Sequence, residues 1–210
     1  MHAAVAWVLS LLILSVPPAR LSAQPGWEET IAAREARYLA IATDVAAVVY
    51  APDARVLYAG PRGRARTAAL LVAVAVLESG LAADVDIGPC YRGRNGRSPR
   101  CDSGRAASCW QVHDKSVEGN RPAAIREALR RLRGSFGMAA ARGRERGWTA
   151  AQVEEHRMDI YASGGSLAVG HKAGLMRLKL GEKLAAHGTA PRDADVLAAP
   201  APPGAVAAAP

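Results

Sequence analysis

The sequence lacks several features that would define common classes of protein. Its 210 residues hold only three cysteines, show no internal repeat, and contain little of the apolar–polar alternation that marks strands. Beyond the first residues, no apolar run reaches the roughly 20 residues that a membrane-spanning helix needs. These absences exclude a repeat array and a multi-span membrane protein, and they favour a mainly α-helical chain.

The few cysteines also argue against a metal site. Cys90, Cys101 and Cys109 follow a C-x10-C-x7-C spacing that fits no common zinc pattern, and His113 alone does not complete one. In an oxidising compartment two of the three can form a disulfide, which would close the loop from 90 to 101 or tie that loop to Cys109. We therefore expect one disulfide, one unpaired cysteine and no metal.

The first residues are arranged like a secretory signal peptide. An uncharged apolar stretch covers residues 3–16, two prolines interrupt it, and small residues precede Gln24, although no Lys or Arg stands at the start. The alternative is an uncleaved membrane anchor, but the stretch is shorter than the roughly 20 residues that span a bilayer. We predict that residues 1–23 are a signal peptide and that the protein is periplasmic or secreted.

The charge of the remaining chain indicates its partners. Removal of residues 1–23 takes away Arg20 and leaves 187 residues with a formal net charge of +7 instead of +8, enough chain for one domain with a core. An exported basic protein meets anionic surfaces such as cell-wall polymers and acidic glycans. Export argues against a nucleic-acid partner, so we expect no nucleic-acid binding. Because no further apolar run is long enough to span a bilayer, we also expect no transmembrane segment after cleavage.

Apolar periodicity and capping residues predict helices along most of the chain. Thr67 is expected to cap the second helix, Gly80 to end it, and Gly134 to end or bend the third. Thr149 is expected to cap the helix that runs through Tyr161. The predicted helices cover 27–50, 67–80, 122–133, 135–146, 150–161 and 170–187. A long loop rich in glycine and arginine covers 84–108, and such loops are usually functional or disulfide-stapled. We predict a domain over 24–188 and a disordered Ala/Pro-rich tail over 189–210.

The stretch VAVLESGL, residues 74–81, places one carboxylate on an apolar helix face. Glu78 follows Leu71 by seven residues and Val74 by four, and it precedes Leu81 by three. Three explanations are open: a helix end that reaches water, an ion pair with an arginine, or an acid kept protonated by its loss of solvation. The third suits a general acid that works near neutral pH.

Three short motifs in order give a resemblance to a known family. E-S-G at 78–80 ends a helix, S-C-W-Q-V stands at 108–112 after the long loop, and Y-A-S-G stands at 161–164 after a later helix. Over residues 67–180 this order resembles the transglycosylase SLT domains of the lysozyme-like superfamily, in which a helix ends in E-S, a G-L-M-Q-I segment follows, and Y-N-x-G closes the site. The resemblance implies a lysozyme-like helical domain with the Gly/Arg-rich loop beside the active-site cleft.

The resemblance assigns roles to the residues that match. Glu78 takes the place of the catalytic acid, while Ser79, Gln111 and Tyr161 take the places of residues around the substrate. It implies a monomeric lytic transglycosylase that cleaves the MurNAc–GlcNAc bond of peptidoglycan glycan strands. One glutamate protonates the glycosidic oxygen and then, as a base, activates the sugar's 6-hydroxyl to close a 1,6-anhydro ring, without a metal or organic cofactor.

Other functions remain open. Ser108 and Cys109 replace the family's Gly-Leu, and Ala162 replaces its Asn, which leaves room for a non-catalytic exported peptidoglycan-binding protein. A second carboxylate facing Glu78 would give a lysozyme-type hydrolase, and Asp86 is the candidate for it. The alternatives for Asp86 are a turn residue or a solvated partner for an arginine. A basic polyanion-binding protein would bind without cleaving and would release its ligand in salt.

Overall fold

The fold is built from helices. A computed structural model describes residues 2–17, 28–86, 105–163 and 167–197. Within these ranges no strand forms, and one isolated bridge pairs Ala107 with Val112. The helices are α1 His2–Ser15, α2 Ile31–Val49, α3 Gly63–Ser79, α4 Ala83–Asp86, α5 Arg121–Arg146, α6 Ala150–Glu155, α7 Asp159–Ser163, α8 Leu167–Ala185 and α9 Asp193–Leu197, with a 3₁₀ turn at Lys115–Val117. The prediction of a mainly α chain is confirmed.

Helix α3 lies at the centre of the core, and its small and aliphatic side chains are buried along most of its length. Its leucines Leu70 and Leu71 are almost fully buried, and burial of each contributes about 1.5–3 kcal/mol. It contacts α1, α2, α5, α8 and α9. Helix α8 approaches closely at Gly181, where an added Cβ would lie 3.2 Å from the Cα of Leu70. The end of α3, which carries Glu78, is thereby fixed in position.

Helix α3 begins four residues before the predicted cap. Thr67 lies inside the helix, where its hydroxyl donates to the carbonyl of Gly63 and accepts from the N–H of Leu57. A Cβ at Gly63 would overlap the carbonyl oxygen of Tyr58, so glycine allows the chain to turn tightly into the helix. The predicted end is confirmed, because Gly80 closes the helix in a left-handed conformation with φ 61°.

Two other helix predictions differ from the structure. Residues 121–146 form one α-helix, so Gly134 does not end it. Thr149 caps α6 in a capping box with Gln152, as the sequence indicates. The helix expected through Tyr161 instead breaks at residues 156–158, because the buried carboxylate of Asp159 starts a separate short helix there.

A buried ion network connects α2, α4 and α5. Arg121 donates to Asp86 at 2.9 Å and to Asp44 at 2.8 Å. Arg37 binds Glu29 at 2.7 Å and lies 3.5 Å from Asp86. The Asp86 side chain is fully buried, so its charge requires these two guanidiniums. The predicted Gly/Arg-rich loop therefore does not begin at residue 84: residues 84–86 end α4, where the network fixes them. Residues 87–104 of that loop lie outside the described ranges.

The N-terminal helix packs as part of the core. Val8, Leu11 and Leu12 of α1 are fully buried, and α1 contacts α2 and α3. The indole of Trp7 donates to the carbonyl of His187 at 3.0 Å. In the part of the chain that the structure describes, no helix combines the length and hydropathy needed to cross a bilayer. Cleavage of this segment as a signal peptide stays a prediction.

The predicted disordered tail does not begin at residue 189. Asp193–Leu197 forms α9, whose Val196 is buried. The carboxylate of Asp193 accepts from the N–H of Arg64 at the start of α3, and its own N–H donates to Pro61. A short apolar contact and these hydrogen bonds therefore hold residues 193–197, although the composition around them is dominated by alanine. Residues 198–210 of the predicted tail lie outside the described ranges.

Candidate functional site

Glu78 takes part in an ion pair with α8. The guanidinium of Arg177 donates to the Glu78 Oε1 at 2.7 Å and 3.0 Å, and only 20% of the Glu78 side chain and 10% of the Arg177 side chain are exposed. Both hydrogen bonds end on Oε1; among the described residues Oε2 has no hydrogen-bond partner. Of the three explanations for a carboxylate on this helix face, the structure gives the ion pair.

A tight loop places Gln111 beside the end of α3. Ala107 and Val112 exchange backbone hydrogen bonds of 2.9 and 3.0 Å, which close a loop in which Ser108 and Gln111 both adopt left-handed φ angles of 63° and 49°. Inside the loop, the buried indole of Trp110 donates to the carbonyl of Leu71 in α3 at 3.0 Å. The tryptophan is therefore a core anchor that fixes the loop, and it leaves Gln111 at the surface of a cleft.

Tyr161 on α7 lies against the same loop. Its hydroxyl donates to the carbonyl of Trp110 at 2.7 Å, and its N–H donates to the hydroxyl of Ser135 in α5 at 3.2 Å. Burial, and after it the negative charge of Glu78, raises the pKa of Tyr161 far above its ordinary value. Tyr161 thus connects α7 to the 107–112 loop through its neutral phenol and to α5 through its backbone N–H.

Glu78, Gln111 and Tyr161 meet in one cleft. Its volume is about 470 Å³ and its wall comes from α3, the 107–112 loop, α5 and α7. Within the described residues, Glu78 is the one carboxylate on the wall. The lining residues are Glu78, Gln111, His113, Arg131, Gly134, Ser135, Met138, Ile160, Tyr161, Ala162 and Ser163. The cleft offers one carboxylate, neutral hydrogen-bonding groups and a cation.

Two residues expected at the site do not line the described cleft. The hydroxyl of Ser79 is turned into the helix, where it donates to Ala75 and accepts from the N–H of Leu81. Asp86 is held by Arg121 and Arg37 in the ion network. Ser79 therefore stabilises the turn after α3, and Asp86 serves the packing of α2, α4 and α5.

Cys109 lies in the same loop as Gln111 but faces the core. Its side chain is fully buried and its thiol is free. Burial, and then the nearby charge of Asp86, raises the pKa of the Cys109 thiol well above its ordinary value, although Ser79 lies within hydrogen-bonding reach. The free thiol means that no disulfide ties the loop to Cys109. Cys90 and Cys101 lie outside the described ranges, so their pairing stays a prediction.

The sequence did not indicate the residues that surround Glu78 from other helices. Arg177 contacts the carboxylate from a position 99 residues away, and Arg131, Ser135 and Met138 form the α5 wall. Two features of the sequence single out Arg177. It stands beside the inward-facing Leu178, and the other long cationic side chains of that helix are lysines.

Comparison with known proteins adds no relative. No protein-family model matches the chain, and neither the curated proteins nor the solved structures yielded a match. On the described wall of the cleft, the carboxylate of Glu78 with its amide and phenol neighbours suits proton transfer to and from a polar substrate.

Proposed function

We propose that the protein is an exported, monomeric lytic transglycosylase that cleaves the MurNAc–GlcNAc bond of peptidoglycan with Glu78 as its acid and base. The observation that carries the proposal is the cleft in which Glu78, Gln111 and Tyr161 come together. These residues belong to three motifs spread over more than eighty residues of sequence, and they are three of the four that the lysozyme-like resemblance assigns to catalysis and substrate binding. The fourth, Ser79, does not line the described cleft. Their convergence supports a lysozyme-like arrangement.

The composition of the cleft wall favours one-carboxylate chemistry. A glycosidase with two carboxylates needs them about 5–5.5 Å apart to retain, or about 6.5–9.5 Å apart to invert, the anomeric configuration. Among the described residues Glu78 has no second carboxylate on the cleft wall, and Asp86 is committed to two arginines. A transglycosylase needs only one, because the 6-hydroxyl of the substrate replaces water as the nucleophile.

Each step of the proposed mechanism requires a different state of Glu78. The second step needs the carboxylate form, which accepts the proton of the 6-hydroxyl. The first step needs the protonated form to donate to the glycosidic oxygen. Arg177 must therefore loosen its hold on Oε1 when the glycan enters, and Oε2 is the oxygen that can meet the substrate before this happens.

A second candidate, a non-catalytic peptidoglycan-binding protein, is favoured by the same ion pair. In the free protein Arg177 occupies the Glu78 Oε1 with two hydrogen bonds, and Ala162 stands where the family has Asn. In that case the cleft would hold glycan through Gln111 and the cation of Arg131 without cleaving it. A lysozyme-type hydrolase has weaker support, because Asp86 does not line the described cleft.

Digestion of purified peptidoglycan distinguishes these functions. The full-length chain, Glu78→Gln and the control Glu35→Gln, which removes an exposed carboxylate on α2, are each incubated with sacculi and the products are read by mass spectrometry. Anhydro-muropeptides from the wild type and from Glu35→Gln, but not from Glu78→Gln, are expected. Products with reducing ends would instead identify a hydrolase. Binding to sacculi without any product would identify the non-catalytic protein.

A further inference from the structure

Three side chains outside the cleft bring metal-binding groups together. His156 follows α6, Asp159 begins α7 and His171 lies on α8, and one donor atom from each lies within 4.8 Å of the other two. The Nδ1 atoms of His156 and His171 lie 2.5 Å and 3.3 Å from the carboxylate of Asp159. We propose that His156, Asp159 and His171 bind a divalent transition-metal ion of the zinc type.

The charge of Asp159 calls for a cation at this place. Its side chain is fully buried, and among the described residues no lysine or arginine pairs with it. The side chains that contact its carboxylate are the two imidazoles. Burial of an ionised carboxylate without a positive partner is strongly unfavourable. A divalent ion bound by the same three side chains would bring positive charge into direct contact with this carboxylate.

The backbone around Asp159 is built for close packing. A Cβ at Gly170 would overlap the carbonyl of Asp159, and one at Gly174 would lie 3.1 Å from its Oδ1. The two glycines on one face of α8 therefore allow α7 to press against it, which brings His171 to the carboxylate. The ring of Trp148 stacks on His156 at 4.3 Å with a 20° angle, and this contact limits the movement of that imidazole.

The donor distances fit an ion with a small adjustment. Zinc bonds of about 2.0–2.2 Å to nitrogen and oxygen place two donors of a tetrahedral ion about 3.3 Å apart. His171 already has this separation from Asp159, while the 2.5 Å between His156 and Asp159 is that of a hydrogen bond whose proton the ion would replace. The rings of His156 and His171, 4.4 Å apart, must then turn so that both nitrogens face the ion.

The donor set also selects the kind of ion. Two imidazoles and one carboxylate suit Zn²⁺, Co²⁺ or Ni²⁺, whereas Mg²⁺ and Ca²⁺ prefer oxygen ligands alone. The side chains of His156 and His171 are 26% and 38% exposed, so solvent reaches the cluster and can supply a fourth ligand. Because Asp159 lies two residues before Tyr161, a bound ion would also fix the α7 wall of the cleft.

Metal titration of the purified full-length chain tests the proposal independently of any enzyme activity. Zn²⁺ binding is followed by calorimetry, and Co²⁺ binding by its visible spectrum, for the wild type, His156→Gln, His171→Gln and the control His187→Gln, which changes an exposed histidine after α8. We expect one ion per chain in the wild type and the control, at least about tenfold weaker binding in the other two variants, and a higher Tm with Zn²⁺ but not with Mg²⁺. Circular dichroism establishes that each variant is folded.

Three results would overturn the proposal. One is the absence of saturable Zn²⁺ binding to the folded wild type. Another is equal affinity of all four proteins, because the ion would then lie elsewhere. The third is a thiolate-to-metal charge-transfer band in the Co²⁺ spectrum, which would place the ion on cysteine and not on this cluster.

Discussion

The ion pair between Glu78 and Arg177 makes a quantitative prediction about stability. Exposed ion pairs contribute about 0.2–1 kcal/mol, while removal of one partner from a fully buried pair costs about 3–5 kcal/mol. With side chains 20% and 10% exposed, this pair lies between the two limits. We expect a coupling free energy of roughly 1–3 kcal/mol between the two side chains.

A double-mutant cycle measures that coupling. Urea unfolding followed by circular dichroism gives the free energy of unfolding for the wild type, Glu78→Gln, Arg177→Gln and the double variant at pH 7. Each kcal/mol lost from the free energy of unfolding should also lower Tm by about 2–4 °C for a domain of this size. Because the pair is mostly buried, the coupling should change little when salt is added. A coupling below about 0.5 kcal/mol would refute the ion pair, and with it the explanation of why the helix end carries a carboxylate.

Three further outcomes follow from the structure. Burial raises the pKa of Cys109, so native protein at pH 8 should resist alkylation at this thiol and unfolded protein should not; peptide mapping that finds Cys109 labelled in the native state would contradict its burial. Gly170→Ala should lower the free energy of unfolding by about 1–3 kcal/mol, because the added Cβ overlaps α7. Gly137→Ala, whose Cβ meets open space on α5, should raise it by up to about 1 kcal/mol. Equal effects of the two substitutions would mean that α7 and α8 are not in close contact. Burial raises the pKa of Tyr38 and of Tyr58 from 10.0 to about 12, so above pH 10 the folded state keeps protons that the unfolded state loses. The resulting stability is fully present below pH 10 and falls between pH 10 and pH 12, by roughly 1 kcal/mol per tyrosine at pH 11. A urea midpoint that is unchanged between pH 8 and pH 11 would count against this burial.

The sequence predicted the helices better than their ends. Periodicity located α2, α3, α5 and α8 because each buries an apolar stripe, and Gly80 and Thr149 were read correctly because local capping decides both ends. The start of α3 was misplaced because the close approach of Gly63 to Tyr58 is a tertiary contact. The break between α6 and α7 was missed for the same kind of reason, since it depends on the interaction of Asp159 with His171 on another helix.

The candidate site shows a similar division. The positions of Glu78, Gln111 and Tyr161 could be identified because each belongs to a short motif. Ser79 and Asp86 also stand in or near motifs, but their side chains satisfy local backbone and arginine partners. Arg177 could not be assigned to the cleft from the sequence, because a cation on an amphipathic helix is normally solvated and only packing of α8 on α3 brings it to Glu78.

The packing of α1 sets a condition on export. Ala4, Val8, Leu11 and Leu12 are fully buried against the rest of the core, so removal of residues 1–23 would expose the matching faces of α2 and α3 to water. The chain 24–210 should therefore have a lower Tm than the full-length chain and should bind a dye for exposed apolar surface. Calorimetry and dye fluorescence on both chains measure this difference. If the two Tm values agree, α1 does not stabilise the folded domain and its cleavage is without cost; if they differ as expected, a secreted form needs a partner or a rearrangement that covers α3, the helix that carries Glu78.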